Sequence, residues 1–165
     1  MDRPQVNVYI EVSIRGPVVR EGAYLYVLEY MFHGQPVTRC AYCHAVASEN
    51  QFTLEALIRA SEWVKKPAEI RVFTRCAYVL NALRNGWPQQ WKEAGWRSAK
   101  GKPVKNTKLW DRLLQGETPH TFTATEEDHS YREWMLYQLD EREKHVIKRE
   151  NKTGNNPDDK HERGG

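Results

Sequence analysis

Residues Gly86 to Leu113 read GWPQQWKEAGWRSAKGKPVKNTKLWDRL and hold Trp87, Trp91, Trp96 and Trp110, four of the chain's six tryptophans. From Arg84 to Arg112, eight Lys and Arg stand against two acids. Cations spaced among flat rings suit a nucleic-acid backbone. Lys and Arg neutralise phosphates, while rings pack on sugars or bases. An amphipathic helical hairpin that buries its tryptophans and solvates its lysines has the same composition. The order of the residues is more informative than their numbers.

Outward from this stretch, charge is uneven. Residues 126–165 carry eight basic against eleven acidic side chains, so a basic middle is followed by an acidic end. That pattern points to a polyanion partner at one face. The 165 residues suit one domain with a real core, residues 1–150, and a charged tail, residues 151–165, expected to be disordered. No run is apolar enough to span a bilayer and the first residues do not read as a signal peptide, so the expected location is cytoplasmic, with no membrane partner. Cys40-Ala-Tyr-Cys43-His44 spells a haem-attachment motif. The flanking residues read as a strand, and an odd separation puts the two thiols on opposite faces, which suits neither haem nor zinc. Cys40, Cys43 and Cys76 are therefore expected to be free thiols.

Three strands are expected first: Gln5–Ile14, Ala23–Phe32 with a lone acid at Glu29, and Gln35–Ala47 after a tight turn at His33-Gly34. Ser48 and Gln51 have the form of a capping box, opening a helix to about Lys66. A strand Glu69–Thr74, a helix Arg75–Asn85 capped by Thr74, helices near Pro88–Ser98 and Asn106–Leu114, and a strand Thr118–Ala124 follow. The acids after Thr125 suit the start of a last helix, which carries Tyr131, Trp134, Met135 and Leu139 on one side.

Trp91-Lys92, Gly95-Trp96, Lys102-Pro103-Val104-Lys105-Asn106 and Leu109-Trp110 fall at the spacing of the basic handle, about 86–113, of type 1 ribonuclease H, and the chain resembles that family. The order strand-strand-strand-helix-strand-helices-strand-helix agrees over residues 5 to about 141. The resemblance implies an α/β fold, a five-stranded mixed sheet in the order 3-2-1-4-5 flanked by helices. It also implies a nuclease that cuts the RNA strand of a hybrid with two Mg²⁺ ions held by four carboxylates.

Here the chain departs from the pattern of the family it resembles. The strand-one Asp-Gly-Ser pattern is Glu11-Val12-Ser13, so one carboxylate remains, a methylene longer. On the first helix Thr53 stands at the acid's position; Glu55 lies on the wrong face, and Glu49 is read as preceding the helix. At the end of the fourth strand Arg75 takes the aspartate's place, and on the last helix Arg132 or Glu133 does. His129 is a candidate for the family's loop histidine. Two dications need clustered hard oxygen ligands, and a guanidinium does not lose its proton. The expectation is therefore a degenerate tetrad, no bound Mg²⁺, and Arg75 paired with Glu11, with Glu133 as a second acceptor.

For nucleic acid, the resemblance implies contacts at Ser48, Asn50, Trp87, Trp91, Lys92, Trp96, Lys100, Lys102, Lys105, Asn106 and Lys108. Asn106 matches a handle residue near a DNA phosphate, and Trp87 and Trp91 match rings of that strand's channel. Glu49 counts against this, adding negative charge near the minor groove. The function expected is non-catalytic binding of RNA/DNA hybrid or double-stranded RNA. The alternatives are a protein-interaction or inhibitory module, and residual metal-dependent ribonuclease H activity.

Overall fold

The computed structural model describes residues 3–116 and 118–154, the side chains of 147, 148 and 150–154 excepted. Strands β1 (Gln5–Val12), β2 (Arg20–Phe32) and β3 (Gln35–Ala47) form an antiparallel meander, and β4 (Glu69–Phe73) and β5 (Thr121–Thr125) extend it in parallel. The sheet order is β3-β2-β1-β4-β5. The β2–β3 turn places His33 and Gly34 at φ 51° and 77°, the two positive values that a two-residue hairpin of matching twist requires.

Helices α1 (Glu49–Glu62), α2 (Ala77–Arg84), α3 (Trp87–Glu93), α4 (Thr107–Leu114) and α5 (Arg132–Gly154) complete the chain. One sheet face packs Val8, Ile10 and Tyr26 with Phe52, Leu57, Val79 and Trp110; the other buries Tyr9, Leu25 and Val27 under Met135 and Leu139 of α5. Gly22 lets α1 approach β2, because a Cβ there would stand 2.9 Å from Ile14 and 3.2 Å from Phe52.

Several boundaries differ from those read in the sequence. The capping box at Ser48 is present, but α1 stops at Glu62, where the Trp63 indole donates to the Tyr26 hydroxyl at 2.9 Å. Thr74 does not cap α2; its Oγ1 accepts from the Cys76 amide, and Cys76 is the N-cap. Helix α3 ends at Glu93, not near Ser98. Gly95 at φ 68° is followed by Gly95 N–H to Lys92 O and Trp96 N–H to Trp91 O bonds, a Schellman stop. The acids after Thr125 lie in a loop before α5, and on α5 Trp134 is exposed while Met135 and Leu139 are buried. Backbone helix continues through Gly154, past the expected start of the tail at 151; residues 155–165 lie outside the described residues.

Candidate functional site

Adjacent parallel strands β1 and β4 bring Glu11 and Arg75 to one end of the sheet. Arg75 Nη2 lies 3.0 Å from Glu11 Oε1; Glu11 is 2 % exposed and Arg75 38 %. Thr53, Glu49, Arg15 and Cys76 line the same pocket. The start of α5 resolves the one-residue ambiguity. Arg132 enters, its Nε 3.8 Å from Glu11 Oε1, whereas Glu133 is exposed and is not the second acceptor. Arg132 is held by the Glu126 and Glu127 carbonyls and by Asp128 at 3.1 Å.

Burial pushes the Glu11 carboxyl upward, and the opposing pull of Arg75, Arg132 and Arg15 does not cancel it. Removing water from a carboxylate costs more than three partly solvated cations return.

Glu49 lies within the helix, not before it as expected. It is the first residue of α1, buried, one turn before Thr53, whose hydroxyl donates to the Glu49 carbonyl at 2.8 Å. Its carboxylate accepts from the Gly16 amide at 2.9 Å and lies 3.5 Å from Arg15. With Ser48 as N-cap, Glu49 is the first helical residue, so the capping box in the sequence already carries this placement.

These side chains do not fit a two-metal centre. Glu11 is paired with a guanidinium, Glu49 closes the loop at Gly16, and Thr53, Arg75 and Arg132 complete the surroundings without adding a carboxylate. Among the described residues no three His, Cys, Asp or Glu side chains gather as a metal-binding group.

His129 is not a free loop side chain. Its ring packs tilted against Tyr9, centroids 4.4 Å apart, and Nδ1 accepts from the Tyr131 amide at 3.2 Å. Burial, then the neighbouring Arg132, pulls its pKa below the ordinary value, against the opposing Asp128 and Glu29. Tyr131 and Tyr9 both donate to Glu29, the lone acid of β2, which fastens α5 to the sheet. A depressed histidine contributes stability above its unfolded value of about 6.5 and loses it as pH falls toward the folded value. The melting temperature should therefore fall more between pH 7 and pH 5 in the native chain than in His129→Leu. Parallel acid sensitivity of the two proteins would refute this role; Glu11 titrates in both and drops out of the difference.

The handle is built inward. Trp110 is fully buried, with its ring centroid 5.7 Å from that of Trp91, and its indole donates to the Tyr78 hydroxyl at 2.8 Å. Tyr78 in turn donates to the Lys105 carbonyl, tying α2 to the handle loop. Trp96 packs against the core, while Trp87, 39 % exposed, sets its ring centroid 6.0 Å from that of Trp91. Asn106 sits at φ 60° as the N-cap of α4, without a side-chain cap bond. A short ladder at Trp96–Val104, closed by Ser98 and Gly101, presents Lys100 and Lys102 outward. Lys100, Lys102, Lys105 and Lys108 are exposed, with no acidic partner recorded among the described residues, whereas Lys92 pairs with Asp111 at 3.3 Å.

At the start of α1, Ser48 is buried and its hydroxyl accepts from the Gln51 amide, so it is less open than the resemblance implied. Asn50 is half-buried and accepts from the Cys76 thiol at 3.3 Å. The structure thus separates two regions: a charged pocket where Glu11, Thr53, Arg75 and Arg132 meet, and a handle with outward lysines.

Comparison with known proteins agrees with this architecture. Ribonuclease H of Thermus thermophilus is 40 % identical over 76 residues, which is 46 % of this chain and 46 % of the relative. The chain spans about half the length of the curated relatives it matches first. Among solved structures, LC9-RNase H1, described as a type 1 RNase H with the type 2 active-site motif, superposes with a TM-score of 0.59 at 20 % identity, covering 84 % of this chain and 71 % of that one. A foamy viral protease-reverse transcriptase in complex with RNA/DNA hybrid gives a TM-score of 0.52 at 13 % identity, covering 84 % and 19 %. At such identities these two show a shared fold. Residues 3–126 match the family model described as RNase H, and the chain therefore belongs to the ribonuclease H family.

Proposed function

We propose that this chain is a non-catalytic ribonuclease H-like protein that binds RNA/DNA hybrid or double-stranded RNA through its handle. The observation that carries the loss of catalysis is the Arg75–Glu11 contact at 3.0 Å, a permanent cation where divalent ions would need oxygen ligands. Binding is supported by the four outward lysines, with Trp87 as a stacking ring beside them. The relatives named ribonuclease H, and the fold's occurrence in a protein solved with hybrid, support the choice of ligand. Asn106 and Asn50 flank the duplex in this reading. Trp91, Trp96 and Ser48 serve by holding the surface in shape.

The test is a labelled hybrid incubated with purified protein in Mg²⁺ and in Mn²⁺, with binding measured across a salt series. The expected result is an intact hybrid that is bound tightly at low salt and released at high salt. Cleavage that disappears in Glu11→Gln would overturn the non-catalytic reading. Absence of binding at low salt would overturn the ligand.

A further inference from the structure

We infer that the pocket mouth at Arg75 is a phosphate site in which a guanidinium, in place of metal ions, receives the anion. This deepens the nucleic-acid reading and rests on it for the source of the phosphate, though not for the chemistry. Three guanidiniums from three elements meet two buried carboxylates there, and their commitments differ. Arg15 Nη1 donates to the carbonyls of Val12 and Ile14 and lies near Glu49. Arg132 is held by the 126–128 loop, including Asp128, an exposed acid that offsets part of its charge. Arg75 spends Nη2 on Glu11 and has no other acceptor recorded among the described residues, with 38 % of its side chain open.

A guanidinium carries five N–H donors in a planar fork, so Arg75 keeps most of its donors for a ligand at the mouth. That fork matches two oxygens of one phosphate. Glu11 would repel an anion if it were exposed. At 2 % exposure it lies deeper than Arg75, so an approaching ligand meets the cation first. Behind it, the buried Arg132 Nε lies 3.8 Å from the equally buried Glu11 Oε1 and offsets that carboxylate from within.

Two helix starts reinforce the sign. Glu49 and Cys76 line the pocket, so α1 and the eight-residue α2 both begin at it, and α2 has no side-chain cap bond at its N-terminus. Helix N-termini favour anions. The Cys76–Asn50 contact joins this wall to the first turn of α1, next to the proposed duplex surface. The same field opposes a divalent cation, so the ligand chemistry is that of a phosphate oxygen.

Two measurements decide the matter, the second of them comparing the native chain with the double variant Glu11→Gln with Arg75→Gln, which removes both charges of the pair together. In the first, the Arg75 Nε–H resonance is followed by NMR during titration with dimethyl phosphate and with inorganic phosphate. In the second, single methylphosphonate linkages are scanned along a hybrid. One linkage should weaken binding about tenfold in the native chain and have no effect in the double variant, while linkages facing the handle weaken both. A response to inorganic phosphate without any such linkage would support the site and assign it to free phosphate. No resonance shift with either phosphate, and no linkage specific to Arg75, would overturn it. Hybrid that fails to bind at all would instead sink the proposed function, and the phosphate titration would still decide the pocket.

Discussion

Arg75→Ala is expected to unfold more easily than the native chain at pH 7, by about 2–3 kcal/mol, or roughly 5–10 °C in melting temperature. The reason is the partner left behind. Glu11 is 2 % exposed, and without Arg75 its nearest cation is Arg132 at 3.8 Å. Breaking a fully buried pair from one side costs about 3–5 kcal/mol, and the cost here falls at or below that range because water reaches Arg75. Glu11→Gln combined with Arg75→Ala should recover part of the loss, since the amide carries no charge to strand.

The pH dependence gives a second handle on the same claim. A carboxyl whose folded pKa is raised binds more protons in the native state than in the unfolded one. Its burden is then greatest above the folded value and is relieved as pH falls through it. Burial already raises Glu11, and removing Arg75 should raise it further. The deficit of Arg75→Ala should therefore shrink on acidification. A deficit that stays constant with pH, or a double variant less stable than either single change, would show that Arg75 stabilises by packing alone.

Changing Lys100, Lys102, Lys105 and Lys108 together to Ala should flatten the salt dependence of hybrid binding by about three to four units on a log-log plot. All four are exposed and lack acidic partners among the described residues, so each is free to meet a phosphate. The fold should survive, because the handle is held by Trp110, Trp91 and the Tyr78 hydroxyl. Lys92 is left out because Asp111 already neutralises part of its charge at 3.3 Å. Filter binding or fluorescence anisotropy from low to moderate salt measures the slope. An unchanged slope would move the proposed function from nucleic acid to a protein partner.

Much of this molecule was legible in one dimension because the relevant signals are local. Strands rich in β-branched and aromatic residues, the His33-Gly34 turn and the Ser48–Gln51 capping box follow from backbone sterics and near-neighbour hydrogen bonds, and they appear close to where the residues imply. The handle's order of Trp, Gly, Lys and Asn led to the ribonuclease H family. Gly95 is a local stop signal within the stretch expected to be helical to Ser98, and its left-handed φ ends α3 at Glu93.

Tertiary structure alone decided which side chains share the pocket. Whether Arg132 or Glu133 enters depends on the path of residues 126–131, since one residue rotates a helical side chain by about 100°. That path is set by distant partners, with Tyr131 and Tyr9 bonding to Glu29 and His129 packing against Tyr9. Burial made the same distinction among the tryptophans, where composition treats Trp110 and Trp87 alike but packing hides one and leaves the other 39 % exposed. The sequence by itself determined the fold and the likeness of the handle, through local propensity and spacing. Only the three-dimensional packing decided that Glu11 meets Arg75 and Arg132, because burial and charge pairing depend on neighbours remote along the chain.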